Sequence, residues 1–231
     1  IDKAQSVAMM ISNSTNHGTV TCNGAAGGGF IGLVQSCTDM NVTISESMNN
    51  GTISVSSDGG GFIGLIKQST NVRVTVSDSI NNKDIKGGYT RGGLIGQLMG
   101  NSDMNVSISN CSNNGSLPSS GSTACLGGLV GLIDECAGVI TISDCTNDGS
   151  VYGERMVGGL VGLIRSSTKM GIEIIDSANN GDITATDVRV GGFIGYMYQN
   201  EGNLTISEST NSGIVNVRSY VGGLVGDAQD T

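Results

Sequence analysis

The chain has no tryptophan, one proline (Pro118), one histidine (His17) and only 3% aromatic residues. Without large rings a conventional core cannot be filled, so stability has to come from small stacked side chains and backbone hydrogen bonds. Basic residues are also scarce. Eleven Lys and Arg stand against 20 Asp and Glu, a formal charge of −9, with no basic run. Nucleic acid is thereby excluded as a partner, because its phosphates need Lys and Arg facing them. The longest apolar stretches, such as ACLGGLVGLI at 124–133, are well short of the roughly 20 residues of a spanning helix, so no membrane span is expected in this segment. There is no C-x-x-C, and the lone His17 sits in a turn-like sequence, which leaves no metal-ligand spacing. No basic stretch followed by an apolar one opens the chain, so any export signal is expected to lie outside it.

What the chain has instead is glycine, 38 of 231 residues. DGGGFIGL at 58–65 satisfies the G-x-G-x-x-G spacing of a dinucleotide-binding loop. That loop belongs between a strand and a helix, yet here the motif is followed by turn-forming Ser, Thr, Asn and Asp. It also recurs. GG[FL][IV]G begins at Gly28, Gly60, Gly92, Gly127, Gly158, Gly191 and Gly222, spaced 32, 32, 35, 31, 33 and 31 residues apart. Seven copies at such a period mark a solenoid, propeller or array, and no cofactor is expected.

A second constant element appears in NVTISESMNNGTISV (41–55), NVSISNCSNNGSL (105–117), VITISDCTNDGSV (139–151) and NLTISESTNSGIVNV (203–217). Val42 and Ile44 alternate with Thr43 and Ser45, the period of a strand with one buried face. Asn-x-Gly then supplies a turn, with Gly51 expected at positive φ. Three strands in about 32 residues predict one coil of an all-β, parallel β-solenoid (β-helix) of about seven coils. Residues 1–231 form a single repeat domain, a rod about 34 Å long at the usual strand spacing. A propeller is the rival, but its blades want four strands and 40 or more residues.

In a solenoid, equivalent positions stack. Asn16, Asn49, Asn81, Asn113, Asn147, Asn179 and Asn211 then form one ladder of amides, or simply start each turn, or both. Phe30, Phe62, Leu94, Leu129, Leu160, Phe193 and Leu224 form the largest apolar column, and the flanking glycines let chain approach chain. GGLVGL at 127–132 and 158–163, with VGGLVG at 221–226, resembles the GLUG-motif repeats of bacterial surface and secreted, adhesin-like proteins. The resemblance covers essentially the whole chain, and coils one, two and six depart from it by placing Phe at the Leu position. It implies an extended cell-surface module, with an extracellular or cell-surface location, and carries over no catalytic residue.

The six cysteines can be placed by register. Cys111 and Cys145 share a position in consecutive coils, Cys22 and Cys37 bracket the first glycine motif, and Cys125 and Cys136 bracket the fourth. Disulfides Cys22–Cys37, Cys125–Cys136 and Cys111–Cys145 are expected, six buried free thiols being the alternative. A column of Glu46, Asp78, Asp144, Asp176 and Glu208 repeats along the rod and so makes no unique acid–base site. N-x-[ST] sequons stand at Asn13, Asn41, Asn50, Asn105, Asn110, Asn114 and Asn203. A chain this rich in Ser, Thr and Asn generates such triplets by turn chemistry as well.

Two function classes survive. One is a non-catalytic structural module of an extracellular filament or surface protein. The other is an adhesin-type module that binds carbohydrate or a cell-surface partner. A binding solenoid should break its own period with an aromatic-rich loop, yet the longest insertion is SLPSSGSTAC around Pro118. Phe62, Ile63, Leu65 and Ile66 are apolar on both faces of one strand. That predicts lateral packing of the glycine-motif face on neighbouring protein, alongside end-to-end stacking of copies or further repeats.

Overall fold

The computed structural model describes residues 1–118 and 125–230 and is a parallel β-solenoid of about seven turns with no helix. Five of the coils carry five strands, two more than the three expected. In coil one they are β1 (Gln5–Ser12), β2 (Thr15–Asn16), β3 (Val20–Cys22), β4 (Ala26–Gly28) and β5 (Ile31–Gln35). Equivalents of β1, of β2 and of β5 each stack into a seven-stranded parallel sheet. The β3 equivalents form a three-stranded sheet in coils one to three, and β4 heads a nine-stranded one. The third and fourth strands fuse in coils five and six as Val151–Gly158 and Ile183–Gly191. The insertion around Pro118 lies largely outside the described residues.

Register is kept residue for residue. Met9, Val42, Val74, Val106, Ile140, Ile172 and Leu204 run up the inner face of the β1 sheet, and Thr43, Thr75, Ser107 and Thr141 up its outer face. The alternation therefore puts one apolar, mostly β-branched stack inside, as a strand period of two requires. These residues pack against Ile63, Ile66 and the Phe62, Leu94, Leu129, Leu160 and Phe193 column in the main core, all five of that column fully buried.

The β5 strand was expected to present one apolar face to a neighbour. It does not, because the chain folds over itself. The glycine pair forms its own sheet, and that sheet lies on the far face of the β5 sheet. A Cβ on Gly64 of coil two would lie 2.6 Å from the Gly32 carbonyl and 2.7 Å from that of Gly27 in the β4 strand. Leu65, Leu132 and Leu163 are thus buried internally, the last two in a small cluster with Cys125 and Tyr196. A third cluster, with Ile53, Ile85, Leu117 and Val151 facing Leu126, Val157 and Val190, fills the remaining arch.

The turn expectation also needs correction. Gly51 is not at positive φ; its hydrogen faces the Gly18 carbonyl of the coil below, where any Cβ would overlap. The left-handed corner is taken by the residue after each β1-type strand: Asn13, Glu46, Asp78, Asn110, Asp144, Asp176 and Glu208, with φ between 46° and 53°. The acidic column is therefore a row of exposed corners.

Candidate functional site

The most repeated side-chain chemistry in the molecule is a set of polar ladders running coil to coil. Each ladder Asn directs its Nδ2 at the Oδ1 of the next: Asn16 to Asn49, Asn49 to Asn81, Asn81 to Asn113, Asn113 to Asn147, Asn147 to Asn179 and Asn179 to Asn211, all at 2.7–2.8 Å. The same Nδ2 donates to the carbonyl two residues on, as from Asn113 to Gly115 at 2.9 Å. Turn and ladder are therefore one device, and the five central amides are completely buried. The second glycine of the motif makes room for it in coils one to six. A Cβ on Gly61 would lie 2.8 Å from Asn81 Cγ, and one on Gly93 would overlap Asn113. This proximity links the two most constant elements of the repeat.

Two further ladders run the same way. The backbone N–H of Ser14 donates to Ser47 Oγ (3.2 Å), that of Ser47 to Ser79 Oγ (3.1 Å), that of Cys145 to Ser177 Oγ (3.2 Å) and that of Ser177 to Ser209 Oγ (3.0 Å). The other was missed in the sequence. Cys37, Ser69, Asn101, Cys136, Ser167 and Asn200 each stand nine residues after the first glycine of a motif and are buried. Cys37 N–H donates to Ser69 Oγ, Ser69 N–H to Asn101 Oδ1 and Cys136 N–H to Ser167 Oγ. A constant offset filled only by small polar residues and cysteine was the readable signal.

The cysteines belong to this pattern, and the three expected disulfides are not formed: Cys22, Cys37, Cys111, Cys125, Cys136 and Cys145 are all free thiols. The bracketing logic fails because the fold-over separates the bracket's ends. Cys37 and Cys136 lie in the main core, whereas Cys22 packs on the arch cluster and Cys125 on the Leu132 cluster. Cys111 and Cys145 do stack in adjacent coils, but as serine substitutes, donating to the carbonyls of Ser109 (3.1 Å) and Ser143 (3.0 Å). The neighbouring Cys145 thiol, then burial, raises the Cys111 pKa; burial pushes that of Cys125 up to about 12.

The sequon asparagines lie on the outside of the rod. Asn13 and Asn110 are corners, and the Asn110 amide donates to Asp78 Oδ1 (2.7 Å). Asn41 and Asn105 flank Arg73 on the outer face of the β1 sheet, and Asn203 is exposed. Half-buried Asn50 and exposed Asn114 both bond Asn82, at 2.9 and 2.8 Å.

Charged groups also collect at two places. Arg91, completely buried, takes the position held by Gly59 and Leu126 in neighbouring coils; its Nη1 donates to the carbonyls of Ile85 (3.1 Å) and Pro118 (2.6 Å). Burial pulls its pKa down to about 10. In coils six and seven the Arg189 guanidinium lies 4.2 Å above the Tyr196 ring and 5.7 Å from Tyr220, and its Nε is 3.1 Å from Asp227. Tyr198 stacks on Tyr196 with centroids 5.9 Å apart, so three of the five tyrosines meet in one patch. Among the described residues no group of three or more His, Cys, Asp or Glu is placed to hold a metal ion. Comparison with protein-family models, with curated proteins and with solved structures finds no match.

Proposed function

We propose that this chain is a non-catalytic structural repeat module of an extracellular surface protein or filament, assembling end to end with copies of itself or with further repeats. One observation carries the reading: the asparagine ladder and the apolar columns run through all seven coils, so that the chain's repeated chemistry is directed along the rod axis. Stacked repeats of this kind gain stability from each neighbour interface, and each added coil extends the same columns. The surface location rests on the GLUG-like motif, and the exposed sequons at Asn13, Asn41, Asn105 and Asn203 are compatible with it. Electron microscopy of the purified native protein should show rods longer than one chain, and impermeant labelling of intact source cells should reach it. A monodisperse single-chain particle found only inside cells would overturn the proposal.

The second reading, an adhesin-type module, is favoured by the Tyr196–Tyr198–Tyr220 patch with Arg189 between its rings. Aromatic faces beside hydrogen-bonding groups suit the apolar face and hydroxyls of a sugar. Binding to immobilised glycans that Tyr220→Ala abolishes would support it; an array with no signal would remove it.

A further inference from the structure

One cation in the middle of the rod is buried without a counter-charge. Arg91 is completely buried, yet only its Nη1 is used, donating to the carbonyls of Ile85 (3.1 Å) and Pro118 (2.6 Å). Its Nε and Nη2 have no partner among the described residues. Burial lowers the Arg91 pKa only to about 10, so the guanidinium is charged at neutral pH. A charge held in an apolar arch without an acceptor is costly.

The carboxylates of the adjoining strands are engaged elsewhere. Asp58 pairs in register with Thr90, so its side chain and that of Arg91 point to opposite faces of the sheet. Asp84 accepts the Ser116 N–H (3.1 Å) and pairs with Lys86 (3.5 Å). Coil four offers none here, since no Asp or Glu stands between Asp103 and Asp134. Yet the unused edge of Arg91 is the one that grips a carboxylate elsewhere in this chain: Arg165 holds both oxygens of Asp134 through Nε (2.9 Å) and Nη2 (2.7 Å). Arg91 presents the same fork inside the arch.

The backbone is interrupted at the same place. Ile85 N–H donates to Ser116 O (3.1 Å), and in a parallel pair the next bond returns from the N–H of residue 118 to Ile85 O. Residue 118 is the chain's only proline and has no N–H to give. The three-stranded β3 sheet therefore stops at coil three, and Arg91 Nη1 takes the Ile85 carbonyl instead. A side chain thus bridges a seam that strand pairing closes between coils two and three.

We infer that this seam between coils three and four is a binding site for a small carboxylate, with the Nε–Nη2 edge of Arg91 as its recognition group. A planar carboxylate brings two acceptors to two donors, in parallel N–H···O bonds. A phosphate or sulfate would carry further oxygens into the arch beside Ile85, Leu117 and Leu126, whose side chains offer no donor. Entry requires the seam to part, with one ladder bond fewer to break than between coils two and three. The inference stands apart from the assembly and sugar readings above.

Sodium acetate is the probe, added to the whole chain at constant ionic strength against chloride and phosphate, with thermal unfolding as the readout. Wild type is expected to melt at higher temperature as acetate rises, and to saturate, because a ligand that binds only the folded chain stabilises it. Chloride and phosphate should not reproduce the shift. Arg91→Leu, which repeats at coil three the Leu126 of coil four, is expected to fold and to lose the acetate response. In a proton–nitrogen correlation spectrum of wild type, the Arg91 Nε–H resonance, assigned through its backbone, should move with the same midpoint. No saturable shift in wild type, or an acetate response kept by Arg91→Leu, would overturn the site. Stabilisation by phosphate and not by acetate would overturn the carboxylate assignment. Should Arg91→Leu fail to fold, the wild-type Nε–H titration decides alone, and a resonance that acetate leaves unmoved rejects the proposal.

Discussion

Replacing Asn113 by Asp changes one NH2 group to oxygen in the middle of the rod and leaves shape intact. In the native chain that group donates to Gly115 O (2.9 Å) and Asn147 Oδ1 (2.8 Å), and Asn113 is completely buried. Both acceptors lose their donor without gaining water, at about 1–3 kcal/mol each, or about 2–6 kcal/mol together. A buried carboxylate beside two oxygens costs more still, so the new group is expected to hold its proton far above the usual carboxylate range. With the folded pKa raised above the unfolded one, the variant is most stable below the unfolded value, near 3.9, and loses stability as pH rises through the folded value. Asn211→Asp is the matched control, since its amide is half-buried at the coil-seven face and gives up one donated bond, to Gly213. Urea unfolding of wild type and both variants at pH 7 and pH 4 reads the difference. If Asn113→Asp costs no more than Asn211→Asp at pH 7, or if acid does not narrow its deficit, the buried ladder does not hold the coils as described.

Gly93→Ala is expected to destabilise by at least about 1–3 kcal/mol, because its Cβ would overlap the Gly128 carbonyl and Asn113. The same change at Gly171, whose Cβ would meet nothing nearer than 3.6 Å, should stay within about 0.5 kcal/mol, and equal effects in thermal melts would refute the close-approach account. Asp58 is buried in a β4-type strand, where desolvation raises its pKa; it accepts a hydrogen bond from Ser57 (3.2 Å). A raised carboxyl pKa makes the native state lose stability as pH climbs above 3.8, so Asp58→Asn should raise the melting temperature at pH 7 and lose that advantage below pH 3.8. A pH-independent difference would contradict it. Denatured, unreduced protein should titrate six thiols, and in the native state half-buried Cys22 should react with iodoacetamide well before Cys125, whose thiol pKa is about 12. Fewer than six thiols would reinstate a disulfide.

The coil number and the parallel stack were legible because GG[FL][IV]G fixes one register seven times and Val42-Thr43-Ile44-Ser45 alternates with period two. The Asn column was legible for the same reason. The fold-over was not, since Leu65 looks like an outward residue until the glycine strand of its own chain is laid against it, a contact that has no local period. Gly51 misled because glycine serves either positive φ or close approach, and sequence alone does not separate the two; the corner fell instead to Glu46, an unusual left-handed residue. The cysteine brackets failed because residues near in sequence ended in different clusters. Arg91 could not have been placed, because a lone arginine in an otherwise glycine or aliphatic column resembles a surface residue until the column is known to face inward.

The common direction of the Asn amides gives the rod an electrical consequence. Strand dipoles in a sheet largely cancel, so a β-solenoid is ordinarily nearly nonpolar along its axis. Here six successive Nδ2-to-Oδ1 bonds all point from coil one towards coil seven. Their side-chain dipoles add, as peptide dipoles do in a helix. Summed over the seven stacked amides, they should orient the rod in an applied field.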